Sequence, residues 1–141
     1  MAKKINSFEK MIFAGKRKTA VAKINLKPGT GKVFYNLLPH TELGLFHKLA
    51  LSEPIRIFQQ ELGDDLTYDF HIKTHGGGKE AQIQAARLAI ARALLQISGS
   101  DVLKKAYIKY DRNMIVQDAR RKEEYKPGDS KARARRQKSY R

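Results

Sequence analysis

LTYDFHIKTHGGGKEAQIQAARLAIARALLQI, residues Leu66 to Ile97, changes its hydrophobic period at a run of three glycines. Ahead of the run, Leu66, Tyr68, Phe70 and Ile72 alternate with Thr67, Asp69, His71 and Lys73, the pattern of a half-buried strand. Behind it, Ile83, Ala86, Ile90, Leu94 and Ile97 recur at helical spacing, and Leu88, Ala91 and Leu95 widen the apolar arc. An arc that wide suits a helix laid deeply on a sheet. A strand, a glycine turn and a helix in this order predict a two-layer α/β body, with helices packed on a sheet.

Working outward, Ala20, Ala22, Ile24 and Leu26 alternate with Lys23, Asn25 and Lys27, a second half-buried strand. Pro28-Gly29-Thr30-Gly31 has turn composition and Lys32-Val33-Phe34-Tyr35 resumes an extended pattern, which predicts a hairpin. Leu43, Phe46, Leu49 and Ala50 predict a helix, and Ser52-Glu53-Pro54 reads as the cap and first turn of a second, ending near Gly63. Gly99 is placed to end the long helix and Ser100 to cap a last one through Lys109. After Asp111 the pattern dissolves, although Met114, Ile115 and Val116 can anchor a short segment. From Asp118 onward only Ala119, Ala132 and Ala134 are aliphatic, too little apolar area to offset ordering entropy. The expected division is a globular body over 1–111 and an extended basic C-terminal tail over 112–141.

The 141 residues carry a net charge of +15, unevenly spread. Residues 1–27 hold eight basic and one acidic group, residues 28–111 ten and nine, and residues 112–141 eleven and four. An ordinary neutral domain flanked by two cationic ends points to a polyanionic partner. There is no cysteine, hence no disulfide framework, thiolate nucleophile or cysteine-based zinc site. No apolar signal core follows Met1-Ala2-Lys3-Lys4 and no window resembles a membrane span, so the expectation is a soluble, cytoplasmic chain without membrane contact.

Enzymatic readings fail on spacing. Gly76-Gly77-Gly78-Lys79 lacks the first glycine of a phosphate loop, and Glu80 follows the lysine where Ser or Thr belongs. Val33 breaks Gly29-Thr30-Gly31-Lys32 in the same way. His71 and His75, four apart on a strand, are ~13 Å from one another and do not share a metal. Asp64-Asp65 reads as a solvated turn. No metal, cofactor or small-molecule substrate is expected.

Phosphate-binding readings fare better. Gly76, Gly77 and Gly78 open onto a helix N-terminus whose free N–H groups favour an anion, with Lys73 and Lys79 beside it. Lys16, Arg17 and Lys18 stand together at the edge of a neutral body. In the tail, Arg120, Arg121 and Lys126 precede a run with no acid that holds Lys131, Arg133, Arg135, Arg136, Lys138 and Arg141. Arginine forks match phosphate oxygens, and each such contact releases counterions. Tyr125 and Tyr140 can stack on bases, whereas Tyr107 and Tyr110 read as core. Arg92 falls on the polar arc of the long helix as a possible phosphate partner; Arg87 falls in the apolar arc, where it must snorkel or pair.

Three segments in order resemble the family of small-subunit ribosomal protein nine: Gly15-Lys16-Arg17-Lys18-Thr19-Ala20-Val21-Ala22-Lys23, then His75-Gly76-Gly77-Gly78 with Gln82 to Leu94, and the tail from Lys126-Pro127-Gly128 to Gln137-Lys138-Ser139-Tyr140-Arg141. The ending is similar to the archaeal and eukaryotic branch; Ala119 departs from the proline that relatives often carry there. The resemblance implies a four-stranded sheet with helices on one face, of the ribosomal protein domain-2-like type with a left-handed β-α-β crossover, its fourth strand over Lys10 to Ala14. It implies a structural constituent of the small subunit, in the subunit head on ribosomal RNA (rRNA) and beside neighbouring ribosomal proteins. The tail would reach the peptidyl-site tRNA, with Arg141 at the phosphates and Lys138 and Tyr140 nearby. Two rival readings are the protein part of a tRNA-processing ribonuclease, which needs no such terminus, and a small-molecule kinase relative, which needs a phosphate loop. A nuclear-localisation signal would explain the tail's cations but not those at the N-terminus.

Overall fold

A computed structural model describes residues 11–125, 127 and 131–133. In chain order these form β1 (Ile12–Arg17), β2 (Ala20–Pro28), β3 (Val33–Tyr35), β4 (Leu38–Pro39), α1 (Leu45–Leu62), β5 (Tyr68–His75), α2 (Lys79–Ser98) and α3 (Asp101–Tyr110). The strands make one mixed α+β sheet in the order β1-β2-β5-β3-β4, antiparallel except for the parallel β3/β5 pair. Alternation holds throughout: Phe13, Ala20, Ala22, Ile24, Leu26, Val33, Tyr35, Tyr68, Phe70 and Ile72 are buried under the helices, while Lys16, Lys23, Lys27 and Lys73 face out.

The described residues form five strands rather than four, because β4 folds back on β3 through Asn36 and Leu37, both at positive φ (47° and 75°). A two-residue strand containing Pro39 is too short to show alternation in sequence. The strand expected over Lys10–Ala14 runs from Ile12 to Arg17, so Gly15, Lys16 and Arg17 lie within it.

The hairpin expected between β2 and β3 does not form. Strand β5 inserts between them, pairing antiparallel with β2 and parallel with β3. Asp69 on β5 draws the intervening turn to itself, its Oδ1 accepting from the N–H groups of Thr30 (2.9 Å) and Lys32 (2.8 Å). The true hairpin joins β1 to β2 through Lys18 and Thr19.

The two short helices expected before Gly63 are one, with Pro54 inside α1. Ser52 does not cap; its hydroxyl donates back to the Lys48 carbonyl at 2.8 Å, within the helix. Burial of Leu51, Pro54 and Phe58 carries the helix past the proline's missing N–H. Tyr107, fully buried on α3, donates its hydroxyl proton to the Pro54 carbonyl at 2.7 Å. Burial also pushes the phenol pKa up, keeping it neutral. Tyr107→Phe removes this bond while the helix keeps the carbonyl engaged, and is expected to lower unfolding free energy by about 1 kcal/mol in urea titrations, with no change of fold.

Helix α2 ends at Gly99 and α3 begins after Ser100, whose side chain makes no capping bond. Chain beyond Asp111 also packs. A 3-10 turn over Arg112–Met114 buries Met114 completely, with Ile115 against the core. Arg87 pairs with Glu53 at 2.7 Å and Asp111 at 2.9 Å, tying α2 to α1 and to the end of α3. Arg92, read in sequence as a surface residue, clamps the carbonyls of Ala14 (3.0 Å) and Ile115 (3.1 Å).

Candidate nucleic-acid interface

Three pieces far apart in sequence meet at one end of the sheet. The first is the β1–β2 hairpin tip, where Lys18 holds a left-handed φ of 52°. The second is the glycine turn leading into α2. Gly76 and Gly77 both have positive φ, and a Cβ on them would stand 2.7 Å from the Thr19 carbonyl oxygen and 2.9 Å from the Ala20 Cβ. Only glycine lets this turn lie against the hairpin. The Gln82 side chain on α2 donates to the Gly76 carbonyl at 3.0 Å and fixes the turn's exit.

The third piece is the root of the tail. Asp118 accepts three bonds from the Arg120 guanidinium, two of them from Nε, and one from the Arg120 backbone N–H (2.8 Å), and it forms an ion pair with Arg17. Arg17 also donates through Nε to Gln84 at 2.8 Å. The Arg17 and Asp118 side chains are only 18% and 10% exposed, so this pair is a structural tie more than a surface one. A cleft of about 250 Å³ is lined by Lys16, Arg17, Gln84, Asp118 and Arg120, and a neighbouring hollow by Arg17, Lys18, Arg120, Arg121 and Lys122. Lys16, Lys18, Arg121 and Lys122 thus add cations around an Arg17–Asp118–Arg120 centre in which one carboxylate is shared by two guanidinium groups, leaving a net charge of +1.

Hydrogen bonds from Arg120, and the charges of Arg120 and Arg17, hold the Asp118 carboxyl well below the usual carboxylate range against a smaller desolvation effect. A depressed folded-state value means that folding favours the ionised form. Its contribution is full above the ordinary aspartate value of 3.8 and is lost only as pH falls from there through the depressed value. Asp118→Asn is therefore expected to loosen residues 115–122 at pH 7, seen as faster amide exchange there and not in β5. The parent chain should keep that protection from pH 8 down to about pH 4.

The other sequence-derived candidates are less gathered. Lys73 faces out from the middle of β5, directly opposite Lys23 of β2, and Lys79 is exposed on the first turn of α2. Gly78 is the N-terminal residue flanking α2. Lys131 is exposed, and Arg133 forms a fork with Glu123 at 2.5–3.1 Å, which raises the guanidinium pKa and lowers that of the carboxyl. Lys122 stands 4.4 Å above the Tyr125 ring. Lys126, Arg135, Arg136, Lys138, Tyr140 and Arg141 lie outside the described residues. Sequence reasoning missed Asp118 and Gln84 as the partners of Arg17, and nothing in their local pattern marks them. It also missed Lys122, which only its place after Arg120-Arg121 signals. Among the described residues no three His, Asp or Glu side chains converge as metal ligands, and no helix is long and apolar enough to cross a membrane.

Residues 15–141 match the family model described as Ribosomal protein S9/S16. The chain is 40% identical over 134 residues to the small ribosomal subunit protein uS9 of Desulfurococcus amylolyticus, covering 93% of this chain and 92% of that one. It is 39% identical over 130 residues to the proteins of the same name from Methanococcus vannielii and Methanococcus maripaludis, covering 90% of this chain and 95% of each. The matched stretch begins at Gly15, within β1, and takes in the hairpin tip, the glycine turn and the tail root, and this chain belongs to the Ribosomal protein S9/S16 family.

Proposed function

We propose that the chain is a structural, non-enzymatic constituent of the small ribosomal subunit in the cytoplasm. It binds rRNA of the subunit head through the hairpin tip, the glycine turn and the root of its tail, and the tail continues to the tRNA at the peptidyl site. The three relatives named above, each matched over nine-tenths of its length, are small-subunit proteins by name. The observation that carries the RNA part is the gathering of Lys18, Arg121 and Lys122 around one hollow, which shares Arg17 and Arg120 with the cleft at Lys16, next to the glycine turn that opens α2 and ahead of a tail rich in arginine. Phosphates at that surface would meet point charges and free backbone N–H groups together.

In this reading Gly76, Gly77, Gly78 and Lys79 add phosphate contacts at the start of α2 and Lys73 adds one from the open face of β5, while Lys126, Lys131, Arg133, Arg135 and Arg136 thread along RNA. Arg133 exchanges Glu123 for a phosphate. Arg141, with Lys138 and Tyr140, holds the tRNA without doing chemistry. The β4–α1 segment exposes Leu37, Leu38, Leu45 and Phe46, a surface suited to a neighbouring ribosomal protein.

Deleting Gln137–Arg141 is the test of the tail. Subunits carrying the shortened chain should assemble normally but release peptidyl-site tRNA several-fold faster in filter-binding chases. Unchanged release removes the tail-tip role, and a chain that does not sediment with small subunits after a high-salt wash removes the whole reading.

A further inference from the structure

Lys16 is the one hairpin-tip cation on the outward face of the sheet, and further along that face lies a second cluster. Phe34 on β3 and His71 on β5 are register partners whose rings stack at 4.9 Å between centroids and 11° between planes. Opposite His71 across the β2/β5 ladder is Asn25, and one pair further along, Lys23 stands directly opposite Lys73. One pair the other way, Lys27 stands opposite Asp69. Asp69 is the one acid among the β2 and β5 positions on this face, and its Oδ1 is taken up by the N–H groups of Thr30 and Lys32. No described carboxylate pairs with Lys23, Lys27 or Lys73.

Like charges placed directly opposite on a sheet destabilise it. A Lys23–Lys73 pair with no acid to relieve it therefore points outward, to an anion supplied by a partner. Partial burial and the charge of Lys27 lower the His71 pKa against the opposing effect of Asp69, which favours the uncharged ring, and its flat face stacks on Phe34. Flat rings between unpaired lysines and an exposed amide are the parts from which single-strand RNA platforms are built.

We propose that this open face is a second RNA-binding surface, taking an unpaired RNA segment whose base extends the Phe34–His71 stack and whose phosphates lie along Lys23, Lys73 and Lys27. The inference rests on the reading that the chain lives on rRNA, and it adds the class of RNA, unpaired and unstacked, that this face selects. Along its length a duplex keeps its bases stacked and paired inside, leaving only the two end pairs with a free face for such a stack.

The test uses the full chain with two fluorescent probes, an unstructured 12-nucleotide RNA and a blunt 12-base-pair RNA duplex, and with small-subunit rRNA. Phe34→Leu should weaken the single strand by about 5- to 30-fold while changing the duplex less than about 2-fold. Lys23→Gln with Lys73→Gln touches no buried residue and should flatten the single-strand salt dependence by about 1.4 in log–log slope. Single-strand binding like the parent's in the lysine double variant overturns the proposal, whatever the folding of Phe34→Leu. Sheet-face variants that bind both probes normally but fail to join subunits assign the face to a protein neighbour, which also overturns it. Lys18→Ala with Arg121→Ala, both at the hollow beside the tail root, runs alongside. If that pair loses rRNA affinity and the sheet-face variants do not, the sheet-face inference fails while the hairpin-tip reading stands. If none of the variants changes rRNA affinity, both fail.

Discussion

Gly15→Val is expected to lower the unfolding free energy by about 3 kcal/mol or more, enough to leave much of the chain unfolded at 37 °C. Gly15 lies within β1 on the face that carries α2, and a Cβ there would stand 2.0 Å from the Ala85 carbonyl oxygen and 2.9 Å from the Ala89 amide nitrogen. Both atoms belong to helix backbone and neither can turn aside as a side-chain tip would. The helix must lift from the sheet, and α2 is the element that covers β1 and β2 and carries nine of the buried core residues. Even Gly15→Ala should cost a large part of this amount, because the clash is with the first carbon. Urea unfolding followed by far-UV circular dichroism measures it, and a midpoint within about 0.2 M of the parent would show that α2 does not seat directly on Gly15.

The second large effect concerns RNA. Under the proposed function, replacing Lys16, Lys18, Arg121 and Lys122 together with Gln should flatten the log–log dependence of rRNA affinity on salt by about 2.8–3.6, since each phosphate contact contributes about 0.7–0.9. Between 0.05 and 0.2 M salt the parent should then lose about 50- to 150-fold more affinity than the variant. Thermal stability should hardly change, because none of the four is buried and none is in an ion pair among the described residues. Arg17 and Arg120 are deliberately kept. Their charges hold Asp118, and removing them would confuse a loss of RNA contact with a loosened tail root. A slope unchanged in the quadruple variant would mean that these cations are merely solvated.

Much of the architecture was legible because burial imposes a period. Alternation located β2 and β5 to within one or two residues, and the apolar arc after the glycines located α2. What misled was local punctuation. Ser52-Glu53-Pro54 has the composition of a helix start, yet packing of Leu51, Pro54 and Phe58 keeps α1 continuous. Pro28-Gly29-Thr30-Gly31 has the composition of a hairpin loop, yet the partner that satisfies its N–H groups, Asp69, is some forty residues away. Turn residues say that the chain bends there, not which strand it joins next.

For the candidate site, the sequence marked the cations but not their state. Lys16, Arg17 and Lys18 read as three equivalent charges, and the fold makes them unequal: Arg17 is locked to Asp118 and Gln84, while its neighbours remain exposed. The glycine triplet read as an anion site, and its positive φ values and the nearness of Thr19 and Ala20 give Gly76 and Gly77 a packing task of their own.

By itself, then, the order of residues determined the layers, the neutral centre with its two cationic ends, and the three segments that carry the family likeness, since period, charge and spacing are properties of the chain read in one dimension. Strand order, the pairing of Arg17 with Asp118, the close seating of α2 on Gly15, and the meeting of Lys23 with Lys73 were decided only in three dimensions. Each depends on which distant groups come within a few ångströms of one another, and that is fixed by the packing of the whole core rather than by any local pattern.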